Sequence, residues 1–181
     1  MTGETIQLVP MLCVRCQNPL PARPDEVFWV CQTCGQGQML VDQHGLAADA
    51  VHYSAGIAQN TKGKPVWVMQ VTVSAMLRQT FSGNNSANMQ AYWGGPRIFF
   101  IPAYTLPLDQ LIDASVKLLR QPPALQEGPS PAPFFAVTVH PEDLQPLAEF
   151  IVLAVEADRD DKLKQMQFVT TLGQPELWIL P

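Results

Sequence analysis

Cys13, Cys16, Cys31 and Cys34 are the only cysteines of this 181-residue chain, arranged as Cys-x2-Cys, fourteen intervening residues, and Cys-x2-Cys. Each pair makes a tight turn that can aim two thiolates at one point. The interval is long enough for a hairpin that brings the two turns together. Four thiolates around one point form a closed tetrahedral shell for a single Zn²⁺. A closed shell stabilises a fold, but it leaves no open position for a substrate. Paired disulfides would require an oxidising compartment, and the opening Met1-Thr2-Gly3-Glu4 has neither the basic nor the apolar region of a secretion signal. A redox Cys-x-x-Cys uses one such motif, not two. Iron is the alternative metal, because a four-cysteine tetrahedron also holds iron. Reduced cysteines lead to the expectation of a cytoplasmic protein.

Other chemistry is sparse. His44 lies near the metal motif, but four cysteines already complete the shell, so it reads as a solvated loop residue. His52 and His140 have no adjoining nucleophile pattern, and His140 before Pro141 reads as a helix-start residue. Glu142-Asp143 suits a helix N-terminus, and Asp160-Asp161 a solvated turn. Neither pair is embedded in apolar sequence that would raise one carboxyl's pKa. The polar stretch from Thr80 to Gln90 lacks the glycine pattern and lysine of a phosphate loop, and reads as a connection or hairpin tip.

The elements that must position the cysteines are those of a ribbon. Pro19, Pro21 and Pro24 supply turn chemistry after the first knuckle, and Val27 to Val30 reads as the strand that delivers the second. Gln38 to Asp42 returns beside it, and Ile6 to Met11 is a further candidate strand. On the four cysteines, Gly35 and the Val27-Phe28-Trp29-Val30 lead-in, residues 11 to 41 resemble the zinc ribbon, a rubredoxin-like superfamily. The resemblance implies a metal and a small β fold. It implies no partner, since such ribbons serve in transcription, translation, chaperone and adaptor proteins alike. Cys34-Gly35 looks like one half of a rubredoxin knuckle, whereas Cys16-Gln17 lacks the matching glycine. The layout of the remainder resembles only uncharacterised bacterial zinc-ribbon proteins.

Beyond the ribbon the expected class is α+β: a ribbon over 1–45, then a mixed-sheet domain over 46–181 with about two helices. Val51 to Ala58 reads as a strand. Val66 to Val73 is the clearest strand, with Trp67, Met69, Val71 and Val73 on one face. Arg97 to Tyr104 follows as a strand. A helix then starts with Thr105 as cap and Pro107 in its first turn, its stripe formed by Leu108, Leu111, Ile112 and Leu119. Pro122, Pro123, Pro129, Pro131 and Pro133 make 122–133 an extended connector. Phe134 to His140 reads as a strand feeding a helix that runs to about Ala157. Phe150 to Val155 within it is apolar all round. Gln165 to Thr171 and Leu177 to Leu180 read as a hairpin around Gly173 and Pro175. The two strand–proline–helix units, at 99–120 and 134–157, form a faint repeat that would give two halves sharing one sheet. The ribbon is expected to fold through its metal and the larger domain through its own core.

Composition bears on partners. The charged fraction is 15% against a typical ~25%, with seventeen prolines, so part of the apolar surface is expected to meet another protein. A net charge of −5 argues against a general nucleic-acid binder. The charge is uneven: −3 over 1–49, +4 over 50–121 and −6 over 122–181. No apolar run approaches the ~20 residues of a membrane helix. The expected function is therefore a non-enzymatic zinc-ribbon protein, an accessory or interaction subunit of a larger assembly. The alternatives are a nucleic-acid or transcription-associated ribbon and an iron-binding, rubredoxin-like electron carrier. Trp93, Arg97 and Tyr104 bracket the segment expected to anchor a protein partner.

Overall fold

The computed structural model describes residues 9–41, 45–58, 60–128 and 132–181, with three α-helices and two sheets among them, an α+β fold. His44 and the first half of the Ile6 to Met11 candidate strand lie outside the described residues.

The N-terminal sheet is antiparallel: β1 (Phe28–Val30), β2 (Gly37–Val41) and β3 (Gly45–Ala48), in that spatial order. Trp29 lies opposite Gln38, and Gln38 opposite Ala48. β3 carries the ribbon to Ala48, past the boundary expected at residue 45, because its pairing with β2 continues to Gln38↔Ala48.

The second sheet is built on one long strand. β4 (Val51–Tyr53) runs parallel to β9 (Glu176–Leu180), which pairs antiparallel with the first part of β5 (Lys64–Thr80). The other edge of β5 takes β7 (Arg97–Pro102). β8 (Leu163–Leu172) pairs with β5 from Val71 to Thr80. β8 and β9 are thus not a hairpin. They run in one direction along the same edge of β5, interrupted at Gly173-Gln174-Pro175, where the Gly173 N–H donates to the Gln70 carbonyl at 2.7 Å. Proline has no N–H for a ladder bond, so the chain steps out of the ladder there and resumes instead of reversing.

β5 is covered on both faces. Trp67, Met69, Val71 and Val73 join Phe99, Ile101, Ile151 and Val152 in the main core. Val66 and Val68 join Phe100, Trp178 and Leu180 on the opposite face, under Leu118 and Leu125.

The polar stretch after β5 does more than connect. β6 (Gly83–Asn84) pairs back to Gln79 and Thr80, and α1 (Ser86–Tyr92) follows. The anchors are Met89 and Trp93, four residues apart and both buried, which fixes one helical turn against the core despite a polar exterior. α2 (Leu108–Arg120) buries Leu111, Ser115 and Leu119, while Leu108, expected on that stripe, is exposed. The expected Thr105 cap does not form. Its hydroxyl donates to Thr138 Oγ1 at 3.2 Å, and Pro107, which occupies the cap position, makes no side-chain cap bond. α3 (Leu144–Ala157) continues from a 3-10 turn at Pro141–Asp143, where His140 Nδ1 accepts from the Glu142 N–H. The apolar run inside it is helix, with Ile151, Val152 and Val155 buried and Phe150 and Leu153 exposed.

Phe134 to His140 is a strap between the sheets, not a strand. It makes single bridges, Phe134 with Gly63 and Val137 with Phe28, and the Thr138 N–H donates to the Ala103 carbonyl at 2.7 Å. Its backbone–backbone hydrogen bonds to the sheets go to three separate places, Gly63, Val27 and Ala103, so no ladder can propagate. The second unit of the faint repeat therefore lacks a sheet strand. The strap also ties the ribbon down: the Val27 N–H donates to the Val137 carbonyl (2.9 Å), and His140 Nε2 lies 3.1 Å from the Leu40 carbonyl. Phe28, only 2% exposed, belongs to the main core.

Candidate metal centre

The two knuckles have the same backbone hydrogen bonds. Cys13 N–H donates to the Asn18 carbonyl, and Cys31 N–H to the Gln36 carbonyl, both at 2.9 Å. Gln17 N–H donates to the Cys13 carbonyl (2.9 Å), and Gly35 N–H to the Cys31 carbonyl (2.8 Å). The residue after each second cysteine turns left-handed, with φ of 60° at Gln17 and 73° at Gly35. The glycine missing from the first knuckle is thus replaced by a glutamine in the same conformation, which sequence reading took as a mismatch.

These turns gather the four sulfurs so that all lie within 4.8 Å of one another. Cys13 stands 3.6 Å from Cys34 and Cys16 3.5 Å from Cys31, each a separation between the two knuckles. Four sulfurs at ~2.3 Å from one ion stand about 3.8 Å apart, so this donor set fits a tetrahedral metal with little adjustment. Cys13 and Cys31 are buried, and Cys16 and Cys34 half-buried. Leu20 and Trp29 pack with them, bordered by Met11, Ala22, Leu40 and Leu46. The Trp29 indole N–H donates to Glu26 Oε2 at 3.0 Å.

Burial opposes ionisation of Cys13, but the N–H groups of Cys16 and Arg15 and the neighbouring thiols outweigh it and bring this thiol down to about 6. The backbone and side-chain N–H groups of Asn18 lower Cys16. At Cys34 the Gln36 N–H favours the thiolate, yet burial and the three other sulfurs push it up to about 12. Burial and the neighbouring sulfurs thus oppose a thiolate at Cys34, a penalty that the charge of a bound metal ion would offset.

The expected partner-anchoring residues do not form one surface. Trp93 is 2% exposed and donates its indole N–H to Glu156 Oε1 at 2.9 Å, so it is core. Arg97 is half-buried, its guanidinium 4.2 Å from the Tyr92 ring centre and donating to the Tyr92 carbonyl. Tyr104 stacks on Phe135 at 5.6 Å. Phe135 is exposed and belongs to a groove of about 690 Å³ between the second knuckle and the strap. Trp29, Val30, Cys31, Tyr53 and Phe134 line it, with Arg23 and Lys62 beside them.

Sequence reading also missed a buried ion cluster. Arg78 and Glu156, both wholly buried, pair at 2.6 Å, and Arg78 forks onto Asp161 at 2.5 and 2.6 Å. Arg159 reaches Glu156 at 2.6 Å, and the Asn85 amide donates to Asp161. Asp161 is therefore not a solvated turn residue. The only available signals were an arginine inside a strand and a glutamate ending an apolar helix. Every group in the cluster is satisfied by another, as in a structural clamp.

No helix among the described residues is long and apolar enough to cross a membrane. No family model, curated protein or solved structure matches the chain.

Proposed function

We propose that the chain is a zinc-ribbon protein without catalytic activity of its own, which binds another protein as an accessory component. The observation that carries this reading is the four-thiol cluster, whose donors close a tetrahedral shell, beside a groove that is mainly apolar. The reading assigns zinc over iron on the spacing of the two Cys-x2-Cys pairs. The occupant proposed for the groove is an extended segment of a partner protein. Aromatic and proline-lined grooves take extended peptides; Arg23 lines the groove together with its ion-pair partner Glu26, and Lys62 is the cation that favours an acidic flank.

Elemental measurement on the purified full chain should give about one zinc per chain. A red, iron-loaded protein with reversible reduction would sink the zinc assignment. For the partner, full-length protein is compared with Phe135→Ser, Lys62→Glu and the surface control Phe81→Ser, at the opposite end of β5 from Lys62, after each is shown to fold. A discrete partner should be kept by wild type and control and lost by the groove variants. A partner held equally by all four would remove the groove from the proposal.

A further inference from the structure

Among the described residues, one buried side-chain nitrogen or oxygen has no hydrogen-bond partner: Gln38 Nε2. Gln38 is 0% exposed, on β2, directly opposite Trp29. Residues opposite one another on paired strands share a face, so Gln38 lies on the side where Trp29 packs with Cys13 and Cys31. Its Oε1 accepts the N–H of Val14, the residue after Cys13, at 2.9 Å. That bond fixes the orientation of the amide, since only the oxygen can accept from a backbone N–H. The NH₂ end is left as a buried donor without an acceptor, which destabilises the fold unless something supplies one.

We propose that Gln38 is a positioning residue of the metal centre: its carbonyl holds the first knuckle through Val14, and its amide N–H donates to a sulfur of the cluster once the sulfurs are metal-bound thiolates. This rests on the four-thiol cluster being a metal centre. Four thiolates around a divalent ion carry a net charge of −2, and N–H donors to sulfur offset that charge in a buried site. Donors of this kind already serve the first knuckle, from the Arg15 N–H to Cys13 Sγ at 3.4 Å and from the Asn18 amide to Cys16 Sγ at 3.3 Å. Gln38 adds another from the sheet side.

Two measurements on the full chain test this. In Gln38→Glu the acceptor for Val14 is kept and the donor is replaced by negative charge. Zinc affinity by competition with a chromophoric chelator should fall about 10–100-fold, the usual effect of removing an outer-shell partner. The thiolate-to-metal absorption of the cobalt form should shift with it. Retention of the wild-type affinity and cobalt spectrum would overturn the proposal. The second measurement needs no variant: on loading with NMR-active cadmium, the Gln38 side-chain N–H signals of wild type should move downfield, exchange slowly and couple to the metal. Unchanged, uncoupled signals in a cadmium-loaded protein would also overturn it. Failure of the wild type to show four-thiolate cobalt absorption would instead remove the metal centre itself, and the proposal with it.

Discussion

Arg78 shows how much one side chain can hold together. It sits in a strand that is otherwise largely apolar, and its guanidinium joins the end of α3 through Glu156 to the following turn through Asp161. Glu156→Gln removes the buried anion but leaves Arg78 forked onto Asp161, so it is expected to destabilise the fold by about 1–3 kcal/mol in denaturant melts. The Arg78 guanidinium holds the Asp161 carboxyl down to about 2, from an ordinary value near 3.8. Because the folded value is the lower one, this contribution is complete above pH ~4 and disappears as the pH falls towards ~2. Asp161→Asn should lose that part of the acid dependence, and acid melts of the two proteins should converge at low pH. The knuckles give a second residue-scale test. A side chain in the left-handed region costs ~1–2 kcal/mol, while a glycine costs ~0.5–1 kcal/mol more in chain entropy. Gln17→Gly should thus stabilise the ribbon by up to about 1 kcal/mol, and Gly35→Gln should weaken it by a similar amount. Hydrogen exchange of the ribbon amides reads both. Gly35 has open space where a Cβ would lie, so its penalty is one of backbone conformation alone.

At the scale of elements, the strap decides how the two sheets answer each other. Val137 and His140 bond to Val27 and Leu40, and Phe28 sits in the main core, so the ribbon is docked and not a free module. Stripping the metal with a chelator should lower amide protection in residues 27–41 and in 134–140 together, while residues 71–80 of β5 keep theirs. Protection lost over the ribbon alone would show the docking to be dispensable. The strap also marks where the sequence ceases to be legible. Cys-x2-Cys spacing is a local signal and located all four sulfurs. The period of two in Val66 to Val73 likewise marked Trp67, Met69, Val71 and Val73 as the face that lies in the main core. By contrast, Phe134 to His140 has strand-like residues but no continuous partner, and pairing is a property of distant segments. The same is true of β8 and β9, whose turn residues look like a reversal and whose partner is β5. α1 was hidden because its two anchors, Met89 and Trp93, stand among polar residues. The groove and the ion cluster are invisible in the sequence, since each assembles residues far apart in the chain.

For the whole molecule, β5 is the common member of nearly every pairing in the larger sheet, and its partners are remote: Lys64 meets Leu180, Trp67 meets Leu177 and Thr80 meets Leu163. The ribbon, in contrast, is closed by contacts among residues 11–48. Closing long loops must precede the contacts that reward it, so the sheet belongs to the slow end of single-domain folding, milliseconds to seconds, and the ribbon forms ahead of it. A metal held by the four thiols would then be taken up early, before the strap has docked. In that interval the outer edge of β1 lacks its Val137 bridge and Phe28 lacks its core, leaving a short open edge beside an exposed aromatic ring. Such edges pair with whatever strand is nearest. The strap that seats the ribbon is thus also the cover of that open edge.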